Sequence, residues 1–147
     1  MKKIKKALIS VSDKHKLKSI LKVLKKFKIK IISSGGTYKK IKSLGYKSIE
    51  ISKFTNSPEI LKGRVKTLHP KIYAGILNKR ENKLHKKQIR LNKYENIDLV
   101  IVNFYPFENM LAKTKNHINI IENIDIGGPT LARAAAKNYN DVSVVTS

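Results

Sequence analysis

Five short segments hold residue types able to grip an anion or move a proton. Ser33-Ser34-Gly35-Gly36-Thr37 combines hydroxyl donors with glycines whose backbone N–H groups can converge on a phosphate at a helix start. The same Gly-Gly pair also suits a plain turn. Ser12-Asp13-Lys14 offers either a helix cap or an ammonium contact. Arg64-Val65-Lys66-Thr67, read as extended, sends two cations to one side: a guanidinium fork and a point charge suited to phosphate, or else an exposed basic loop. Asn103 to Phe107 contains Tyr105 before Pro106, a hydrogen-bond donor for a cleft or an aromatic core plug. Asp125-Ile126-Gly127-Gly128 brings one carboxylate, a proton acceptor or a cap. His69 has no companion His or Cys at ligand spacing, so a structural hydrogen bond is expected and no metal site. Lys137 closes an Ala-rich run, where the helix dipole alone favours a cation.

The elements that must position these groups alternate between strand and helix. Strands are expected at 6–11, 28–32, 47–51, 98–104 and 141–146. Helices are expected at 14–27, capped by Ser12 or Asp13, at 38–44, stopped by Gly45, at 81–94 and at 127–137. Leu17, Ile20, Leu21, Leu24 and Phe27 recur at helical spacing, with lysines on the opposite face. Asp98 to Phe104 is apolar on both faces, as a buried parallel strand is. From Ser52 to Pro70 the pattern is irregular. The expected architecture is α/β: a three-layer, doubly wound, mainly parallel sheet, with ligands held beyond the carboxyl ends of the strands.

Composition narrows the function classes. The chain has 147 residues and a formal charge of +22, and 41% of it is hydrophobic, which suits one folded unit over 1–147 rather than disorder. It has no Cys, in keeping with a reducing, cytoplasmic setting. The longest apolar run, Leu99 to Val102, is far below the ~20 residues of a membrane span, and the N-terminus lacks a signal-peptide pattern. The charge suggests nucleic acid. However, its source is 28 Lys and only 4 Arg, spread along the chain, and base readers lean on Arg. Lys, Ile and Asn supply 60 residues, a bias that AT-rich codons produce without any polyanionic partner. No specific nucleic-acid partner is expected.

Taken together, Ile9–Lys14 (ISVSDK), Ser33–Thr37 (SSGGT), Gly63–Leu77 (GRVKTLHPKIYAGIL), Asn103–Phe107 (NFYPF) and Glu122–Asn138 (ENIDIGGPTLARAAAKN) resemble the amino-terminal part of the bifunctional AICAR transformylase/IMP cyclohydrolase family. The segments occur in the family's order over essentially the whole chain. The resemblance implies a methylglyoxal-synthase-like fold and IMP cyclohydrolase activity, the closure of 5-formamidoimidazole-4-carboxamide ribonucleotide (FAICAR) to IMP with loss of water. It implies no metal or organic cofactor, and a homodimer in the full-length family. Nucleotide contacts are implied at Ser12, Asp13, Lys14, Ser34, Gly35, Gly36, Thr37, Arg64, Val65, Lys66 and Thr67. Contacts to the base or carboxamide are implied at Asn103, Asp125 and Ile126, and further substrate contacts at Val102, Gly127 and Gly128. Lys66, Tyr105, Asp125 and Lys137 match the groups assigned to catalysis, with Lys137 in the proton role.

The family's transformylase region lies downstream of this segment, so the chain reads as a domain of something longer and transformylase activity is not carried over. Competing readings are a methylglyoxal synthase and a non-catalytic domain sensing a phosphorylated metabolite.

Overall fold

The strands form because their residues alternate between two apolar layers. The computed structural model describes residues 3–146. Strands β1 (Lys6–Ser10), β2 (Lys30–Ser33), β3 (Ile49–Glu50), β4 (Leu99–Val102) and β5 (Ser143–Val145) make one parallel sheet in the order β3-β2-β1-β4-β5. Ala7 and Ile9, Ile31, and Leu99 and Ile101 face one side. They pack on Leu17, Leu21 and Leu24 of α1 (Leu17–Lys26) and Ile41 of α2 (Gly35–Ser43). Leu8, Ile32, Val100 and Val102 face the other side. There they meet Phe54 of α3 (Ile51–Thr55), Ile72 and Ile76 of α4 (Pro70–Leu77), and Leu131 and Ala135 of α8 (Gly127–Lys137). Consecutive strand residues thus feed opposite cores, and that makes the molecule a three-layer, doubly wound α/β fold. Helices α5 (Lys83–Leu91), α6 (Phe107–Lys113) and α7 (His117–Glu122) contain no buried residue. No helix among the described residues is long and apolar enough to cross a membrane.

Several boundaries differ from the sequence reading, each for a local reason. Helix α1 starts at Leu17, and neither Ser12 nor Asp13 caps it; the Asp13 carboxylate instead accepts from His15 N at 2.9 Å. Helix α2 starts at Gly35, so the two glycines form its first turn rather than a loop before it. The third strand shortens to two residues because Ile51 turns into α3, burying Ile51 and Phe54. Helix α4 was hidden inside the Gly63–Leu77 motif. His69 caps it, its Nδ1 accepting from Lys71 N at 3.1 Å, and Pro70 occupies its first turn.

At the amino-terminal edge of the sheet a charged network ties β1 to β4. Asp98 Oδ2 accepts from Lys5 N at 2.9 Å and Lys6 N at 3.0 Å, and Asp98 Oδ1 lies 3.6 Å from Arg80 Nη2. Arg80 also donates to the carbonyls of Gly75 and Ile97. Burial pulls the Arg80 guanidinium down from its ordinary pKa, and the charges of Asp98 and Asp141 pull it back.

Beside this network the buried Lys6 ammonium donates to Glu95, and the Lys6 and Lys71 ammoniums lie 5.5 and 5.0 Å from the centre of the Phe54 ring. The hydrogen bond from Lys6 holds the Glu95 carboxyl below its ordinary value of 4.5. A carboxyl depressed in the folded state contributes stability that is present above the unfolded pKa and lost as pH falls through the folded one. Urea unfolding followed from pH 6 down past pH 4.5 is therefore expected to show a falling midpoint, shallower in Lys6→Met than in the parent chain.

Candidate functional site

The strand order reverses between β1 and β4, and doubly wound sheets hold ligands at such a point. Here a cleft of about 690 Å³ opens at the carboxyl ends of the strands. Its floor is Ser10 to Ser12 at the end of β1 and Ser34 to Thr37 after β2, and its walls come from 62–68 and 121–128.

One end of the cleft gathers groups whose chemistry suits an anion. Helix α2 points its N-terminus at it, and two ammonium groups flank that terminus. A Cβ added to Gly35 would lie 3.0 Å from Lys66 Nζ, and one added to Gly36 would lie 3.9 Å from Lys14 Nζ. Gly35 has φ +51, so the close approach of Lys66 and the backbone conformation both favour glycine there. Lys14 Nζ donates to Ser12 O at 2.8 Å, which holds it over the cleft.

Lys66 and Arg64 arrive by a different route from the one expected. Residues 64–67 are turns, not an extended segment, so alternation is not what aims the two cations. Leu61, Lys62 and Gly63 have φ of 51°, 51° and 89°, three consecutive left-handed residues that fold the chain back on itself. Lys66 then returns over Gly35, its Nζ 3.3 Å from Glu59 Oε1. The Arg64 guanidinium is forked against the Glu122 carboxylate.

Two side chains expected to face substrate are already engaged with the backbone. Asn103 Oδ1 accepts from Ser12 N at 2.6 Å and Asp13 N at 3.1 Å, and Asn103 Nδ2 donates to Asp13 O at 2.9 Å. It therefore latches the loop after β1 to the tip of β4 and keeps one N–H for a ligand. Thr37 Oγ1 accepts from Val11 N at 3.1 Å and donates to Val11 O at 3.0 Å. Thr37 is only 4% exposed, so Thr37→Val leaves two buried backbone groups without a partner. The expected cost is about 1–3 kcal/mol in urea unfolding.

The opposite wall carries the carboxylate. Asp125 Oδ1 accepts from Gly128 N at 2.9 Å, so Asp125 caps α8 while still lining the cleft. It is a cap and an available acceptor at once, since a carboxylate has about four acceptor positions. Tyr105 also lines the cleft and is half exposed, so it is no core plug. The buried Thr67 sets its hydroxyl against Gly127, where a Cβ would lie 2.8 Å away. Behind this wall the Tyr73 hydroxyl donates to Thr130 Oγ1 at 2.9 Å, joining α4 to α8; burial raises the Tyr73 phenol and that bond lowers it.

Of the residues to which the resemblance assigns a contact or a catalytic role, four stay off the cleft lining. Asp13 faces solvent, bonded to His15 N. Val65 lines a separate hollow of about 50 Å³ beside Ile51 and His69. Val102 is a core residue, 1% exposed. Lys137 is exposed at the last position of α8, whose first residue borders the cleft. Ten residues at 1.5 Å each put it about 15 Å along the axis from Gly127. Conversely, Glu59 and Glu122 were not singled out. Nothing in their spacing shows them, because each finds its cation only through the fold.

A family model described as the MGS-like domain matches residues 16–130. The chain belongs to that family. The MGS-like domain is similar to the bifunctional purine biosynthesis protein PurH of Prochlorococcus marinus strain MIT 9301, with 52% identity over 140 residues, 95% of this chain and 27% of the relative. PurH of Ruminiclostridium cellulolyticum matches at 53% over 143 residues, 97% of the chain and 28% of the relative. The MGS-like chain thus spans about a quarter of the length of these curated relatives, and it is similar to their amino-terminal part. A solved structure titled "Crystal structure of ForH" superposes with a TM-score of 0.80 at 29% identity, covering 95% of this chain and 73% of that one. The expected methylglyoxal-synthase-like architecture is therefore the observed one.

Proposed function

We propose that residues 1–147 act as one MGS-like unit that binds a purine-pathway ribonucleotide and closes FAICAR to IMP. The observation that carries this reading is the pairing, in one cleft, of a doubly flanked helix N-terminus with a carboxylate and a phenol on the facing wall. The relatives' naming as purine biosynthesis proteins supports it. Lys14, Arg64, Lys66 and the first turn of α2 take the 5′-phosphate. The carboxamide nitrogen then attacks the formyl carbon, forming the new C–N bond, and the formyl oxygen gains negative charge. Asp125 accepts the proton from nitrogen and Tyr105 donates one to the oxygen; the hydroxyl formed there then takes the proton back from Asp125 and departs as water, while the formamido nitrogen closes the ring C=N bond and returns its N–H proton to Tyr105. Ring closure is intramolecular, so holding the reactive rotamer is a large part of the catalysis. Lys137 has no contact with substrate in this reading. A homodimer, implied by the resemblance, remains part of it and is read by light scattering.

The test is to mix the purified chain with FAICAR and follow IMP by its ultraviolet absorbance. Catalysed IMP formation is expected. A folded chain that binds IMP but forms none would make this a sensor of phosphorylated metabolites, and one that binds neither nucleotide would end the reading.

A further inference from the structure

Residues 105–124 border the cleft on a weakly anchored segment. Neither α6 nor α7 buries a residue. Among the described residues, the hydrogen bonds of this segment stay within it, with one exception: Arg64 Nε donates to Glu122 Oε2 at 3.3 Å and Arg64 Nη2 donates to Glu122 Oε1. The segment holds Lys113 and Lys115 against Glu108 and Glu122, so it is formally neutral in a chain of +22. A neutral segment therefore delivers one carboxylate to a strongly positive cleft. The carboxylate takes the guanidinium fork in the way an incoming anion would. Both side chains are well exposed, 61% and 53%, so water and salt reach the pair.

We propose that Glu122 is a built-in competitor for the anionic group of the ligand at Arg64. It occupies the guanidinium when the cleft is empty and yields it when a ligand anion arrives. It thereby sets the affinity of the site and couples occupancy to the release of α7. This rests on the reading of the cleft as an anion-binding site, although not on the ring-closing chemistry. A phosphate monoester carries about −1.5 to −2 charge and three acceptor oxygens, against one charge on Glu122, so the ligand wins the fork. The competition is mild because exposed ion pairs are weak, which corresponds to an affinity penalty of about two- to fivefold.

The experiment titrates inorganic phosphate and, separately, IMP into the parent chain, Glu122→Gln, Arg64→Gln and the double variant, by calorimetry. Amide exchange over 105–124 is read in parallel. Glu122→Gln is expected to bind both probes about two- to fivefold tighter. In an Arg64→Gln background the same change is expected to do nothing, because the contested fork is gone. Phosphate is expected to speed exchange in His117–Glu122 of the parent chain and to leave Glu122→Gln unchanged. Unchanged or weaker binding by Glu122→Gln, or slower exchange on adding phosphate, would overturn the proposal. If phosphate gives the expected pattern and IMP does not bind, the nucleotide reading fails and the role of Glu122 stands. If IMP binds and Glu122→Gln weakens it, the reverse holds.

Discussion

Replacing Lys66 with methionine is expected to lower kcat/KM for FAICAR closure by about 10- to 100-fold while the chain stays folded. The change keeps most of the length of the side chain and removes its charge. Lys66 Nζ lies against Gly35 at the N-terminus of α2, so what is lost is one charge-assisted hydrogen bond to the ligand's anionic group. Such bonds contribute about 1.5–3 kcal/mol, and 1.4 kcal/mol is tenfold. Lys14 supplies a second ammonium on the same terminus, which limits the loss. The position of Nζ places the effect mainly in KM, since a contact made equally in the ground and transition states gives uniform binding. A loss confined to kcat, with KM unchanged, would move Lys66 from the phosphate to the developing oxyanion. A loss under threefold in both would remove Lys66 from the site.

Parts of this site were legible in the sequence and parts were not, and the division follows from what local patterns encode. The strands around the cleft could be read because Leu99 to Val102 and Lys6 to Ser10 are buried on both faces. Helix α8 was readable from end to end because Gly-Gly-Pro opens it and alanines continue it. The hydroxyls and glycines that line the cleft after β2 were visible as a candidate anion cradle. What aims Lys66 was not visible, because it is a turn with two non-glycine left-handed residues, Leu61 and Lys62, that no propensity favours. Helices α6 and α7 were missed because they bury nothing and so show no apolar stripe toward a core. Asn103 looked like a ligand contact, yet most of its amide is used by a loop 90 residues earlier in the chain. Spacing can nominate a polar residue. It cannot show which of its hydrogen bonds are already made.

The largest stability loss is expected far from the cleft, at Asp98, and the reason separates two ion pairs that look alike on paper. Arg64 and Glu122 are 61% and 53% exposed, and a pair in that setting contributes about 0–1 kcal/mol. Arg80 and Asp98 are 13% and 17% exposed, and Asp98 also receives two backbone N–H groups where β1 begins. In Asp98→Ala the Arg80 guanidinium stays buried against the Gly75 and Ile97 carbonyls with its closest countercharge gone. Removing one partner of a buried pair costs about 3–5 kcal/mol, a large share of a typical 5–15 kcal/mol total. The urea midpoint is therefore expected to fall by more than ~1 M. Arg80→Met added to Asp98→Ala removes the stranded charge and is expected to recover part of the loss, because desolvating the guanidinium is itself unfavourable. A single-variant loss below about 1 kcal/mol, with no recovery in the double variant, would mean that water reaches this network freely and that the edge is held by the apolar cores alone.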